Sequence, residues 1–317
     1  MDRAAGALRM SGSEGSTAES SESPFSPLAT PGGFPIWKPE SVRISSPVRA
    51  EPSLVGHLKV RAASGAEGRT RLSEQSFRAP FHIGKGYWDE DAKVMQLRVV
   101  NPTAGILSGD RLELAVDVDP GAALVIMTPA ATRAFMMERG IAVCEQRLAV
   151  AAGGWLEYAP EPLFPHTQSD YRQETKLELA AGADAYFAEA LAPGRVGRGE
   201  RWAWRRLTMQ LEVTVGGKLI FRERLDASGK EFGKLAAFYR MPEAWFATIV
   251  LYSEKLTDEH PVWEQVRQHG APTRLAAGLF LVRVIAGGSI ELRDTLSSLR
   301  AVAAIALPKL KTDLRRL

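Results

Sequence analysis

Cysteine is almost missing from this chain. Among 317 residues there is one, Cys144, and histidine is hardly commoner, with His57, His82, His166, His260 and His269 scattered along the sequence. A single thiol excludes a disulfide framework and a cysteine-based zinc module. No two histidines stand close enough to write a short ligand pair, which removes zinc enzymes of the H-E-x-x-H type. An excess of one charge is lacking too: 40 Lys+Arg against 37 Asp+Glu leaves a formal net charge of +3. So small an imbalance argues against nucleic acid as a partner. No apolar run reaches the roughly 18 residues that span a bilayer; the longest, residues 275 to 285, is interrupted by Arg283. The first residues hold no apolar stretch of signal-peptide type. The expectation is a cytoplasmic protein with no membrane contact, and one free thiol suits a reducing compartment.

What is present reads as one β-rich domain behind an unusual leader. Hydrophobic residues make up 45% and charged residues 24%, ordinary for a globular chain that can build a core. Residues 1–53 are rich in serine and then proline. Such a stretch buries too little apolar surface to offset its ordering entropy, so it is expected to be a disordered extension. Phe25, Phe34, Ile36 and Trp37 within it are either a docking motif or incidental aromatics. Residues 54–317 are expected to form a single domain with a helical part toward the end. Residues 69–77, 93–100 and 111–118 alternate apolar and polar side chains, the pattern of half-buried strands.

A repeat sharpens this reading. The segments ending in Gly121, Gly153, Gly182 and Gly216 each carry apolar residues at alternate positions ahead of the glycine, and each is followed by a new strand-like run. Glycine tolerates the positive φ of a tight turn. The fold class expected is mainly β: successive stacked β-hairpins in a two-layer or helicoid structure, with a few helices toward the C-terminus. Helices are predicted over residues 257–269 and 289–306, with a short one over 232–242.

Chemistry has few places to reside. Neither Gly84-Lys85-Gly86 nor the loop from Gly194 to Glu200 is a phosphate-binding P-loop, and no G-x-S-x-G elbow exists. Cys144 sits at an apolar strand position and reads as a buried structural thiol. His166, in a proline-flanked loop, is either a ligand or base or a solvated or capping histidine, and the same alternatives hold for His82 in a strand or loop. The carboxylates carry more interest: Asp110 beside a glycine, Glu161 in a proline-bounded turn, Glu200 at the end of a glycine-rich loop, and Glu157 and Glu189 in strands that follow two repeat glycines. Stacking in register would bring the last two together; alternatively each lies on a solvated strand face. Oxygen ligands hold transition metals loosely, which suits an ion in transit better than a stored one.

Four segments together resemble the UreD (UreH) family of urease accessory proteins. They are NPTAGILSGDRLEL from Asn101, DPGAALVIMTPAATRAF from Asp119, WLEYAPEPLFPHTQSDY from Trp155 and AEALAPGRVGRGE from Ala188. The resemblance runs from about residue 54 to at least residue 225 and leaves residues 1–53 outside it. It implies a mainly β fold and a non-enzymatic role in urease maturation. The partners it implies are the urease apoprotein, UreF and the GTPase UreG, with UreE involved indirectly. By the same resemblance no cofactor would be held tightly, and nickel would be cargo, delivered to the urease active site through an internal passage. Carried over by motif position, Asp110, Thr128, Thr132, Glu157, Glu189 and Glu200 would line or support that passage, and Gly194 and Arg195 would shape a loop. Residues 232–252 and the C-terminal helix are candidate partner faces. Competing expectations are a hydrolase using two carboxylates and a generic β-rich binding module.

Overall fold

The computed structural model describes residues 54–314; the Ser/Pro-rich extension and its aromatics lie outside them. Two sheets face each other. The first has seven strands in the order Lys218–Ala227, Arg206–Val215, Asp170–Leu179, Ala142–Val150, Arg111–Val118, Val55–Ser64 and Thr70–Arg78. Its inner five strands run parallel, and the two outermost pair antiparallel. At the centre of the second sheet, Asp184–Leu191, Trp155–Tyr158, Ala123–Met127 and Val94–Val100 are likewise parallel. Trp245–Tyr252, Leu279–Ala286 and Ala271–Ala276 extend it antiparallel on one side.

The repeat glycines explain this architecture. Gly121, Gly153 and Gly182 have φ of 73°, 71° and 77°, and the turns stack, with the Gly153 N–H donating to the Gly182 carbonyl at 2.8 Å. The register also follows the repeat: Val118 stands beside Val150, and Val150 beside Leu179. Yet the strands flanking these three glycines do not pair with each other. Arg111–Val118 belongs to the first sheet and Ala123–Met127 to the second, and the next two turns cross between the sheets in the same way. Only the fourth glycine closes a hydrogen-bonded hairpin, Val215 opposite Lys218, with Gly216 and Gly217 both at positive φ. There the repeat slips by two residues, because Leu179 pairs with Val215 rather than Val213. The body is therefore a two-layer coil that ends in a true hairpin.

Period-two alternation then sorts the side chains. Val116, Leu148, Leu177, Leu124, Leu156 and Phe187 fill the space between the sheets. Outward positions of the first sheet carry ion pairs such as Arg147 with Asp117 and Glu178, and Lys59 with Glu113. Each fully buried leucine contributes roughly 1.5–3 kcal/mol, whereas each exposed pair contributes at most about 1; the interior dominates.

Among the described residues, two of the three α-helices cover the outer face of the second sheet, whereas the first packs Phe232 against Trp204 and Leu207 at the end of the inter-sheet space. Helix α1, Gly229–Phe238, starts at a capping box in which the Glu231 N–H donates to Ser228 Oγ and the Ser228 N–H to the Glu231 carboxylate. It begins ahead of the predicted residue 232. Helix α2 is only Val262–Val266, shorter than the predicted 257–269, since Pro261 fixes the preceding backbone as a turn. Helix α3, Ser289–Ala303, matches its prediction except for a turn over the last residues. It packs Leu292 and Leu299 toward Trp155, Tyr186 and Trp245. Strand Trp245–Tyr252 is thus core rather than a partner face, while Phe238 on α1 is 80% exposed.

Candidate functional site

Polar side chains break the alternation of inward apolar residues at one end of the inter-sheet space. In Ala142–Val150 the inward series is Cys144, Gln146, Leu148 and Val150; in Asp170–Leu179 it is Tyr171, Gln173, Thr175 and Leu177. Register places Gln173 beside Cys144 and Thr175 beside Gln146. Burying amides there costs free energy unless each is hydrogen-bonded. The Tyr158 hydroxyl donates to Gln146 Oε1 at 2.9 Å, and the Tyr171 hydroxyl to Gln173 Oε1 at 3.2 Å. Gln173 Nε2 in turn donates to Glu189 Oε2 at 3.1 Å. Burial holds both phenols above their ordinary pKa, so they stay neutral donors.

These groups line a cavity of about 210 Å³ that also includes Thr128, Thr132 and Glu161. The Glu161 N–H donates to Thr128 Oγ1 at 2.7 Å, fixing the rim. A second cavity of about 300 Å³ lies beside it and contains Glu223, Thr248 and Arg283. Glu189, Ala190 and Met209 line both. Arg283 Nη2 pairs with Glu223 at 2.7 Å, and its Nη1 donates to Thr248 Oγ1 at 3.3 Å. The Glu189 carboxyl is pushed up to about 7, chiefly by burial and then by the charge of Glu223, against the opposing pull of Arg283 and Gln173. It is half-buried by area. Protein surrounds it, and the surface it retains faces the cavities.

The other expected residues lie elsewhere. Glu157 is opposite Tyr186 in register, so it shares the outer face with Trp155, whereas Glu189, three positions beyond Tyr186, faces inward. Stacking does not bring the two carboxylates together, and they cannot act as one catalytic pair. Glu157 is fully buried and bidentate with Arg300, Nε to Oε1 at 2.6 Å and Nη2 to Oε2 at 3.0 Å. Arg300 Nη2 also reaches the Thr312 carbonyl at 3.1 Å. This group ties α3 and the chain beyond it to the sheet. Asp110, 2% exposed, accepts the Leu107 N–H at 2.8 Å and closes the turn at Gly109, where φ is 84°.

Glu200 accepts from Arg195 Nε at 2.9 Å in a bidentate pair. Burial raises its pKa, but Arg195 and Thr167 outweigh that and hold it below the ordinary carboxylate value. Gly194 has φ of 115°, and a Cβ there would stand 2.8 Å from the Glu200 carbonyl oxygen, so this loop closes on glycine. Among the described residues no three His, Cys, Asp or Glu side chains gather to hold a metal, and no helix is long and apolar enough to cross a membrane. Gln146, Gln173, Glu223 and Arg283 were not foreseen, although the two glutamines sit at inward parity in apolar strands, a signal the sequence contained.

Comparison with known proteins agrees with the four sequence segments. A family model described as UreD urease accessory protein matches residues 55–317. The urease accessory protein UreD of Opitutus terrae is 48% identical over 268 residues, covering 83% of this chain and 98% of the relative. That of Acetivibrio thermocellus is 32% identical over 161 residues, 51% of this chain and 62% of the relative. The UreD of Haloarcula marismortui is 32% identical over 164 residues, 51% of this chain and 54% of the relative.

Proposed function

The chain belongs to the UreD family of urease accessory proteins, and we propose that it serves as a non-enzymatic scaffold that passes nickel through its interior to urease. In this reading it binds the urease apoprotein together with UreF and the GTPase UreG in the cytoplasm, with UreE acting indirectly. The observation that carries the reading is Glu189, a carboxylate standing between two adjoining cavities with an amide and two hydroxyls behind it. A cation entering there meets oxygen donors that replace part of its hydration. It meets no thiolate and imidazole cage that would retain it. Thr128, Thr132 and Glu189 therefore carry the passage proposal, joined by Gln146 and Gln173. The ion pair of Glu157 and the turn cap of Asp110 support it from outside.

The test uses urease matured in cells that express the urease subunits and the accessory proteins. Tagged wild-type chain should recover urease subunits and UreF. Glu189→Leu should recover them equally while urease nickel content falls severalfold. If wild type recovers neither partner, the scaffold role is wrong. Full nickel loading with Glu189→Leu would remove that residue from any passage.

A further inference from the structure

The loop from Gly194 to Glu200 has no task in the passage, yet it is built with care. Gly194 permits its entry, the Arg195–Glu200 pair closes it, and Gly199 at φ 73° caps its short turn. It presents Arg198 to solvent. Beside it, Thr132–Ala134 pairs in parallel with Leu163–Pro165, which places Arg133 next to Phe164. Between these elements is an open cleft of about 520 Å³, lined by Arg133, Arg195, Arg198, His166, Phe135 and Phe164.

The charge in this cleft is unbalanced. Glu200 engages Arg195, but among the described residues no carboxylate pairs with Arg133 or Arg198. His166 packs edge-on against Phe135, with ring centroids 4.6 Å apart. Burial first, then Arg195, keeps that histidine below its usual pKa despite Glu200; Arg133 and Arg198 add to the effect. All three guanidinium groups thus act on one enclosed point. Guanidinium groups beside aromatic rings are the composition of protein recognition surfaces, and their fork geometry matches carboxylates. The turn Val196–Arg198 is too short to offer a phosphate a helix N-terminus.

We propose that this cleft is a docking site for a carboxylate-bearing segment of a protein partner, gripped by Arg133 and Arg198. The proposal rests on the scaffold reading and says which surface a partner uses. Ala131 and Arg133 line both the cleft and the first cavity, so the docked acid would stand at that cavity's mouth. Bare, the cleft repels a dication; a bound acidic segment reverses the local sign and makes entry favourable.

A fluorescein-labelled oligoglutamate peptide, with oligoglutamine as control, tests this on the full chain at low ionic strength. Wild type should bind the acidic peptide alone. Arg133→Gln/Arg198→Gln should lose roughly tenfold or more in affinity. The equal charge change Arg71→Gln/Arg78→Gln on the edge strand Thr70–Arg78 should lose little. Equal losses in the two double variants, or none in the first, would overturn the site. So would displacement of the peptide by inorganic phosphate at concentrations where acetate has no effect. A parallel pull-down separates the two claims. If wild type and Arg133→Gln/Arg198→Gln recover urease subunits alike, the cleft fails and the scaffold stands. If wild type recovers none, the scaffold fails whatever the peptide does.

Discussion

Glu157 and Glu189 project from neighbouring parallel strands of one sheet to its two opposite faces. One strand parity thus separates two uses of a buried carboxylate. Glu157 is neutralised by a bidentate arginine and anchors a helix. Glu189 has an amide as its direct hydrogen-bond partner and faces open space between the layers.

The Glu157 pair should behave as a structural anchor. Its Arg300 partner retains 19% side-chain exposure while Glu157 retains 1%. Glu157→Ala leaves a largely buried guanidinium without its carboxylate, at a cost of about 3–5 kcal/mol. Replacing both partners, as Glu157→Met/Arg300→Met, should recover most of that stability. Denaturant unfolding of the two variants checks this, and equal destabilisation by both would refute the assignment.

Glu189 should make stability depend on pH with an inverted sign. Its carboxyl rises from an ordinary 4.5 to about 7 in the folded protein. Between those values the native state holds a proton that the unfolded chain has released. Stability is therefore fully present below pH 4.5 and falls as pH rises through about 7, by about 3 kcal/mol in all. Glu189→Gln keeps a polar contact with Gln173 but cannot ionise. Relative to wild type it should be more stable at pH 8 and little different at pH 4.5. A wild-type-minus-variant difference that stays flat across that range would contradict the burial of this group.

Much of this was legible in the sequence, for definite reasons. Alternation gave the strands, and three repeat glycines gave both the turns and the register. What alternation does not specify is which sheet a strand joins. Residues 119–122, 151–154 and 180–183 carry the chain across to the facing layer, whereas Gly216 and Gly217 alone fold it back on itself. Connection length decided between coil and hairpin, and glycine marked both alike. The pairing of Glu157 with Arg300 joins residues far apart in the chain, so no local pattern announced it. The inward amides Gln146 and Gln173 were visible by parity, and read that way they mark the cavity better than the carboxylates did.

Cys144 lines the first cavity, yet it should not act as a soft ligand there. Burial pushes its thiol up to about 11 against the milder pull of Tyr171 and Gln146. At pH 8 only about one molecule in a thousand carries the thiolate. A thiol-specific reagent should label the native protein far more slowly than the denatured chain, and Cys144→Ser should leave urease nickel content unchanged. Native labelling at the rate of a free thiol would show the cavity to be open to solvent at that point.

The loop from Gly194 offers a last prediction, which separates conformation from contact. Gly194→Ala must hold φ near 115° and place its methyl 2.8 Å from the Glu200 carbonyl oxygen, whereas a Cβ at Gly197 meets nothing within 4 Å. The first substitution should cost about 1–3 kcal/mol, either as strain or by opening the loop. The second should be close to neutral. Opening would break the Arg195–Glu200 pair and release its restraint on Arg198. Hydrogen exchange over residues 194–200 should then quicken in Gly194→Ala and not in Gly197→Ala. If the two variants exchange alike, the loop is held by something other than the close approach at Gly194.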